Sequence, residues 1–351
     1  MKVVVTGATG NVGTSVLRSL QGDERVREIV GIARRRPSLQ MPKVTWLQAD
    51  VAHADLRTHF AGADCVVHLA WLIQPSRDER QTHMVNVEGS AHVFEAAADA
   101  AVPALVYASS VGAYSPGPKD RAVDESWPTH GIESSFYSRH KAAVERILDS
   151  FEAAHPELRV VRLRPGLIFQ REAASEIRRY FAGPFLPDPL VRRGLIPFVP
   201  RMPGLRFQCV HGHDIGDAYR LAVVSDDARG AYNIAADPVL DADELGRLLD
   251  ARPVPVPARL LRIGANLTWK ARLQPTPPGW LDMGLNVPVM DTARARTELG
   301  WTPRHTAAEA FLDVFDGLRE GAGYATPPLD PNAGGRLRVR ELVTGVGQTS
   351  R

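Results

Sequence analysis

The segment Thr6–Gly13, TGATGNVG, follows the apolar run KVVVT and precedes an amphipathic stretch over residues 11–21. Glycines at a strand-to-helix turn permit a tight turn and let a phosphate group approach the backbone N–H groups of the helix N-terminus. The spacing is G-x-x-G-x-x-G, in place of the commoner G-x-G-x-x-G. This turn predicts a dinucleotide site. Its expected members are Thr6, Gly7, Gly10, Asn11, Val12 and Gly13.

Short apolar runs alternate with helix-like stretches through the rest of the N-terminal half. Nearly continuous apolar strands separated by helices are typical of a parallel sheet that is covered on both faces. We therefore predict an α/β fold with a doubly wound parallel (Rossmann) sheet. The expected strands are residues 2–6, 28–33, 44–48, 64–70, 104–110 and 158–165, and the expected helices are 11–21, 54–61, 78–101 and 134–155.

Proline and glycine become dense after about Gly166, as in FAGPFLPDPLVRRGLIPFVPRMPG. Short helices and strands lie between these stretches, a pattern that indicates a smaller, loop-rich lobe and no second independent domain. We expect a dinucleotide-binding core over residues 1–166 and a substrate lobe, interleaved with late core elements, over 167–324. Residues 325–351 are expected to form a tail, either mobile or packed on a neighbour.

The end of the second strand bears on the choice of dinucleotide. An acidic residue there binds the adenosine ribose hydroxyls and repels a 2′-phosphate. The strand ends in EIVGIARRRP, with Ala33 at the acidic position and Arg34 and Arg35 next to it. A guanidinium donates paired hydrogen bonds to a phosphate. The sequence therefore favours NADP over NAD.

Bulk composition excludes several classes of partner. The formal net charge is +2 over 351 residues, so no broad electrostatic attraction to nucleic acid or to an anionic membrane is expected. The two cysteines, Cys65 and Cys209, are expected to be buried free thiols. The chain enters a strand at once, without a signal-peptide pattern, and has no membrane-length apolar run, so a cytoplasmic protein with a small-molecule substrate is expected.

A tyrosine and a lysine lie four residues apart in the stretch FYSRHK, as Tyr137 and Lys141. Residues at this spacing share a helix face. The pattern is common by chance, but Ser109 and Ser110 end the fifth expected strand, at the sheet edge where open α/β sheets bind ligands. Together with the glycine turn, these residues indicate hydride transfer at a carbinol carbon, coupled to proton transfer.

The order of these motifs resembles the short-chain dehydrogenase/reductase superfamily, in its extended branch, the NAD-dependent epimerase/dehydratase type. The resemblance covers about residues 1–320. It implies that Tyr137 is the general acid/base and that Lys141 lowers its pKa and binds the nicotinamide ribose. It also implies that Ser110, four residues before Tyr114, orients the substrate oxygen, and that Asn86 belongs to the catalytic set.

The resemblance extends to further cofactor contacts and to assembly. Members of the branch often pair through the helix that carries Y-x-x-x-K, so a homodimer is expected. The apolar stripe of that helix would serve such an interface or face the sheet. The stripe comprises Ala142, Ala143, Ile147 and Phe151, and the further cofactor-lining positions are Asp50, Val51, Leu69, Ala70 and Pro165.

Two enzyme activities are compatible with the sequence. Nucleotide-sugar epimerases and dehydratases of this branch often carry an asparagine, an arginine and a hydroxyl residue at positions filled here by Leu167, Phe207 and Gly112. These departures favour an NAD(P)-dependent oxidoreductase acting on a less charged alcohol or ketone. Against that, arginines of the lobe are candidates to replace the missing phosphate contacts: Arg178, Arg179, Arg192, Arg193 and Arg201.

The alternative is a nucleotide-sugar epimerase or dehydratase that recycles tightly held NAD, and a minor alternative is a non-catalytic NADP-sensing module. Trp71 directly follows the segment His68-Leu69-Ala70. It is either a floor of the substrate pocket or a packing residue. His211, His213 and Asp214 form an H-x-H-D pattern. No metal is expected there, because Asp214 suits a helix N-cap.

Overall fold

The computed structural model describes residues 1–185, 195–333 and 346. Its central sheet has seven parallel strands in the order β11-β7-β5-β4-β1-β2-β3. The predicted doubly wound Rossmann sheet is thereby confirmed. Its strands are β1 Lys2–Thr6, β2 Glu28–Ala33, β3 Val44–Gln48, β4 Cys65–His68, β5 Ala104–Ala108, β7 Arg159–Pro165 and β11 Gly230–Ile234.

Strand order reverses between β1 and β4, so the loops that follow these two strands diverge and leave a crevice at the carboxyl edge of the sheet. The glycine turn follows β1, and residues 69–72 follow β4. Ser109 and Ser110 follow β5 at the same edge. The topology therefore brings every motif of the expected site to one side of the sheet.

Helices cover both faces of the sheet because the strand residues are apolar on both sides. Val3 and Val5 contribute to one core with α1 and α7, while Val4 contributes to the opposite core with α4 and α5. The helices are α1 Asn11–Gln21, α2 Arg57–Phe60, α3 Glu79–His83, α4 Gly89–Asp99, α5 Phe136–Ala154, α6 Ala174–Ile177, α7 Gly212–Val224, α8 Ala242–Leu249, α9 Ala258–Lys270, α10 Gly279–Asn286, α11 Ala293–Glu298 and α12 Ala307–Glu320.

Three small sheets build the lobe: β12-β10-β8, β13-β9 and β14-β6. β11 lies within the range expected for the lobe but belongs to the central sheet. The expected three-part division of the chain stays a prediction. The remaining strands are β6 Ala122–Val123, β8 Leu167–Phe169, β9 Phe198–Arg201, β10 Arg206–His211, β12 Ala236–Asp241, β13 Arg252–Pro255 and β14 Val289–Met290.

The long helix expected over residues 78–101 is interrupted. A π-helical turn at Met84–Glu88 separates α3 from α4, and such turns are frequent at functional sites. The prediction of one regular helix over this segment did not include the turn.

The structure also bears on the predictions for the cysteines, the apolar stripe of α5 and the tail. Cys65 and Cys209 are free and buried, as predicted. Within the described residues, no helix has the length and hydropathy needed to cross a bilayer.

Ala142 and Phe151 of α5 are buried within this chain, so these two side chains contribute to its core, and a homodimer stays a prediction. Most of the tail lies outside the described residues, but the Thr326 hydroxyl donates to the Thr9 carbonyl at 2.8 Å.

Candidate active site

The glycine turn is packed as closely as its sequence predicts. Gly7 has a φ of +71°, and a Cβ at this position would lie 2.6 Å from the backbone nitrogen of Ala70. A Cβ at Gly13 would collide with the Gly7 carbonyl oxygen and the Ala8 backbone. The N-cap residue of α1 is Gly10, which has no side chain with which to cap the helix. Because the backbone N–H groups at a helix N-terminus favour anions, the turn fits the pyrophosphate of a dinucleotide.

A buried carboxyl group beside this turn was missed by sequence reasoning. The carboxyl of Glu176, on α6, is hydrogen-bonded by the backbone N–H of Asn11 and by Tyr180, and burial raises the pKa of Glu176 to about 7. A carboxylate would repel a pyrophosphate, whereas its protonated form does not. Since this pKa lies near neutrality, part of the Glu176 population is protonated at pH 7, and an anion bound at the helix N-terminus would favour the protonated form. No signal of this contact exists in the sequence, because α6 and α1 meet only in the folded chain.

The remaining predicted cofactor residues lie at or after the carboxyl ends of strands of the central sheet. Arg34 and Arg35 are exposed directly after β2, as a 2′-phosphate contact requires. The Asp50 carboxylate accepts a hydrogen bond from the Ala52 N–H at 3.1 Å, and the Val51 carbonyl accepts from Nδ1 of His92 at 2.8 Å. The tight packing described above places Leu69 and Ala70 against Gly7, and Pro165 ends β7.

Tyr137 is the second residue of α5 and is partly buried. Burial raises the pKa of Tyr137 to about 12, and a hydrogen bond with Ser110 opposes this rise. The direction is opposite to the expectation that Lys141 lowers this pKa. In the structure the dominant effect is the removal of the phenol from water, which disfavours its anion. Tyr137 is therefore a protonated acid at neutral pH.

Lys141 lies one helical turn after Tyr137 and is 3% exposed. Its Nζ donates to the Ala108 carbonyl at 2.6 Å and lies 3.4 Å from the centre of the Trp71 ring. Burial holds the pKa of Lys141 well below its usual value, and the Glu145 carboxylate opposes this shift. The lysine Nζ is thus fixed at the end of β5, in contact with a backbone carbonyl and with an aromatic face.

Aromatic rings enclose Tyr137. The Trp280 ring, from α10, lies 4.7 Å from the Tyr137 ring, and the Trp71 ring lies 5.9 Å from it. Phe181 packs edge-on against Trp280 at 4.9 Å. A Cβ at Gly112 would lie 2.9 Å from Cε1 of Tyr137, so the tyrosine ring uses the space that a side chain at position 112 would need.

Asn86 is fully buried within the π-helical turn. Its Oδ1 accepts from the Leu72 N–H at 2.7 Å, and its Nδ2 donates to the Leu72 carbonyl at 2.8 Å. Both ends of the amide therefore hold the loop that carries Trp71. The amide thus holds that loop in place, and the expected catalytic role of Asn86 stays a prediction.

A buried ionic network lies next to the lysine. The Glu145 carboxylate, with 0% exposure, pairs with Arg164 at 2.9 and 3.0 Å and with Arg162 at 2.9 Å. It also accepts from the Ser109 hydroxyl at 2.5 Å. These cations and hydrogen bonds outweigh burial and lower the pKa of Glu145 to about 2. The carboxylate thus joins α5, β5 and β7 directly below the site.

Two predicted substrate residues lie in the lobe. Leu167 is 39% exposed on β8. Phe207 is partly buried and packs against the apolar clusters beneath α8 and α12, and its expected substrate role stays a prediction. This packing could not be predicted from the sequence, because α12 is distant from Phe207 along the chain.

The arginines of the lobe are engaged with the protein itself. Arg178 donates to the Gly183 carbonyl at 2.9 Å, Arg179 donates to the Pro328 carbonyl, and Arg201 pairs with Asp243. Arg192 and Arg193 lie outside the described residues. To bind a diphosphate as expected, the described arginines would have to give up these hydrogen bonds and ion pairs within the chain.

His68, at the end of β4, is buried between two hydroxyls. Its Nδ1 lies 2.7 Å from the Thr6 hydroxyl and its Nε2 lies 3.0 Å from that of Ser90. The Ser90 hydroxyl donates to the Asn86 carbonyl, so we assign the neutral tautomer with hydrogen on Nε2. Burial, followed by the charge of Lys141, lowers the pKa of His68 to about 3.

We expect acid to destabilise the protein through His68. Because the pKa falls from 6.5 to about 3 on folding, the unfolded chain binds more protons within this range. The contribution of His68 is complete above the unfolded value and is lost as pH falls toward the folded value. Urea unfolding of the wild type and of His68→Gln at several pH values checks this. The stability difference between them shrinks on acidification, and a constant difference contradicts the assignment.

Three histidines meet beside α7, and the sequence revealed only two of them. Possible ligand atoms of His211, His213 and His305 lie within 4.8 Å of one another. The His211 side chain caps α7 by accepting the His213 N–H, so the expected N-cap role of Asp214 is wrong. Asp214 instead accepts from the backbone N–H of His305 at 2.9 Å and lies 3.0 Å from its ring. These bonds join β10, α7 and the segment before α12.

Together, the parallel sheet, the glycine turn and the Tyr137–Lys141 pair at one sheet edge define a dinucleotide-dependent enzyme of the short-chain dehydrogenase/reductase type. The sequence profile described as "NAD dependent epimerase/dehydratase family" matches residues 3–179. The chain therefore belongs to the NAD-dependent epimerase/dehydratase family, as its motifs indicate.

Known relatives include proteins with different activities. A 3-diazoavenalumate denitrifying reductase of a Streptomyces species is 30% identical over 321 residues, covering 87% of this chain and 97% of the relative. A 3-beta-hydroxysteroid dehydrogenase of Mycolicibacterium neoaurum is 24% identical over 353 residues, covering 90% and 92%. The UDP-glucose 4-epimerase of Thermus thermophilus, in complex with NAD, has a similar fold, with a TM-score of 0.66, 20% identity and coverage of 91% and 99%.

Proposed function

We propose that this protein is an NAD(P)-dependent oxidoreductase that transfers a hydride at a secondary alcohol or ketone carbon of an uncharged small molecule. The observation that carries the proposal is the position of the Tyr137 phenol, which lies beside Ser110, Lys141 and two tryptophan rings. A protonated acid suits the reductive direction, in which a carbonyl oxygen must receive a proton as the carbon receives a hydride.

The roles follow from the positions of the side chains. The dinucleotide, bound along the glycine turn, supplies or accepts the hydride. Ser110 holds the substrate oxygen against the Tyr137 hydroxyl, which donates its proton to that oxygen on reduction and recovers it on oxidation. Lys141 binds the nicotinamide ribose and favours the phenolate that remains after the proton has been donated. Asn86, through Leu72, keeps the loop of Trp71 in place.

A nucleotide-sugar epimerase or dehydratase is the second candidate, and the fold similarity to the UDP-glucose 4-epimerase favours it. Three contacts count against it. Gly112 is packed against Tyr137, Phe207 packs against the apolar clusters of the lobe, and Arg201 pairs with Asp243. The reductase and the hydroxysteroid dehydrogenase among the relatives support the oxidoreductase proposal, since neither name denotes a nucleotide sugar.

The first experiment separates these candidates in the purified protein. Absorbance and fluorescence spectra report retained dinucleotide, and titration with NADPH and NADH reports an exchangeable site. An exchangeable site, with oxidation of added NADPH in the presence of a ketone, supports the oxidoreductase. Retained NAD together with interconversion of a UDP-sugar, and no net oxidation of added cofactor, contradicts it.

We predict that Arg34 and Arg35 confer a preference for NADPH. The double variant Arg34→Ala/Arg35→Ala removes two exposed guanidiniums at the 2′-phosphate position but leaves the glycine turn intact. NADPH affinity is expected to fall about tenfold or more, that is, by ~1.4 kcal/mol, while NADH affinity changes little. Fluorescence titration with each cofactor measures this. Arg57→Ala, at an exposed arginine of α2, serves as the control, and equal losses for both cofactors contradict the assignment.

A further inference from the structure

The wall opposite Tyr137 is made of aromatic rings that come from separate parts of the chain. Trp71 follows β4, Phe181 follows α6, and Trp280 lies in the first turn of α10. Trp280 contacts the Tyr137 ring at 4.7 Å with an interplanar angle of 37°, and it contacts Phe181 at 4.9 Å and 88°. Offset and edge-to-face pairs of this kind are the favourable arrangements of aromatic rings.

Close backbone contacts between α10 and the start of α5 position Trp280 against Tyr137. A Cβ at Gly279 would collide with the Ser134 carbonyl and would lie 2.9 Å from Cα of Ser135, so only glycine lets α10 approach the start of α5 so closely. The segment before α10 is fixed as well. The Ser76 hydroxyl donates to the Pro275 carbonyl at 2.5 Å, and the Thr276 hydroxyl donates to the Phe181 carbonyl at 2.7 Å.

The wall consists of apolar side chains and, among the described residues, one indole N–H group that has no hydrogen-bond partner. Ile132, Met283 and Val287 form an apolar cluster against Tyr137 and Trp280. Nε1 of Trp71 is buried without a hydrogen-bond partner among the described residues. A flat apolar ring system gains from stacking on tryptophan, whereas a sugar diphosphate requires cations and many hydrogen-bond donors.

We propose that the site takes a flat, apolar ring substrate, an aromatic or fused-ring ketone or alcohol, and that Trp280 determines this specificity, with Trp71 as the second ring. This inference rests on the proposed oxidoreductase function and names its substrate class. Trp280 binds the ring system of the substrate while Ser110 and Tyr137 bind its oxygen. Trp280 is thus a specificity residue that takes no part in proton transfer.

The test compares two ketones in the cofactor-loaded full-length protein. 2-Acetylnaphthalene is the flat aromatic probe and 2-butanone the small aliphatic one, and both binding and NADPH oxidation are measured. Variants are Trp280→Ala and Trp280→Phe, with Trp269→Ala as the control, because Trp269 packs on Arg77 and away from Tyr137. Trp280→Ala is expected to raise KM for 2-acetylnaphthalene about tenfold or more and to leave KM for 2-butanone within about twofold. Trp280→Phe is expected to restore most of the difference.

The remaining outcomes separate this inference from the function on which it rests. Binding of 2-acetylnaphthalene that depends on Trp280 but is not followed by NADPH oxidation upholds the substrate class and contradicts the oxidoreductase. Equal losses for both ketones in Trp280→Ala indicate a merely structural tryptophan and overturn the inference. Preferential binding of UDP-glucose over 2-acetylnaphthalene by the wild type overturns it as well.

Discussion

Tyr137→Phe is expected to lower kcat by about 10²- to 10⁴-fold with little change in the affinity for NADPH. The change removes one hydroxyl and keeps the ring that packs between Trp71 and Trp280, so the fold and the cofactor site are retained. The loss has a single physical cause, because the substrate oxygen no longer has a positioned proton donor. Single-turnover NADPH oxidation with a ketone measures the chemical step directly.

The matched control is Tyr324→Phe, which removes a hydroxyl from a tyrosine whose ring lies on Arg18 and which is not among the rings that contact Tyr137. The control is expected to keep the wild-type rate. A Tyr137→Phe protein that turns over at the wild-type rate excludes Tyr137 as the acid. One that retains biological activity without turnover supports the cofactor-sensing alternative.

Glu145→Ala is expected to destabilise the protein by about 3–5 kcal/mol. The substitution leaves the buried Arg164 guanidinium without its carboxylate partner, while Arg162 keeps Asp149 and Glu152, and it removes the acceptor of the Ser109 hydroxyl. An unpaired buried charge costs far more than the lost attraction of an exposed pair, which explains the size of the effect. Equilibrium unfolding in urea measures the change in the free energy of unfolding.

Glu95→Ala is the control for this prediction, because Glu95 is exposed on α4 and an exposed substitution is expected to change stability by at most about 0.5 kcal/mol. Glu145→Gln keeps the side-chain shape and removes the charge, so its loss is expected to lie between the two. If Glu145→Ala unfolds at the same urea concentration as Glu95→Ala, the network contributes no net stability.

The sequence predicted elements well wherever local pattern and turn chemistry agreed. The bounds of β1, β2, β3 and α1 match the expected segments, because each is a short apolar or amphipathic run beside a glycine or polar turn. The glycine turn also fixed the position of the dinucleotide site, since a strand, a glycine turn and a helix are consecutive in the chain. Tyr137 and Lys141 were predictable because one helix carries both.

The composition of the site was predictable only in part. Asn86 was identified, but its pairing with Leu72 depends on the π-helical turn, which the sequence did not indicate. Glu176 was missed because its partner, the Asn11 N–H, belongs to a helix on another part of the sheet. Phe207 was assigned to the substrate site because the family resemblance places an arginine at that position, whereas its packing against residues of α12 depends on a helix distant along the chain.

By itself, then, the sequence determined the parallel sheet, the glycine turn and the tyrosine–lysine pair, because each depends on residues close together in the chain. The tertiary structure alone decided that Trp280 packs against Tyr137 and that the pKa of Tyr137 rises. Both result from burial by segments distant in sequence, and the free energy of a charge depends on everything that excludes water from it.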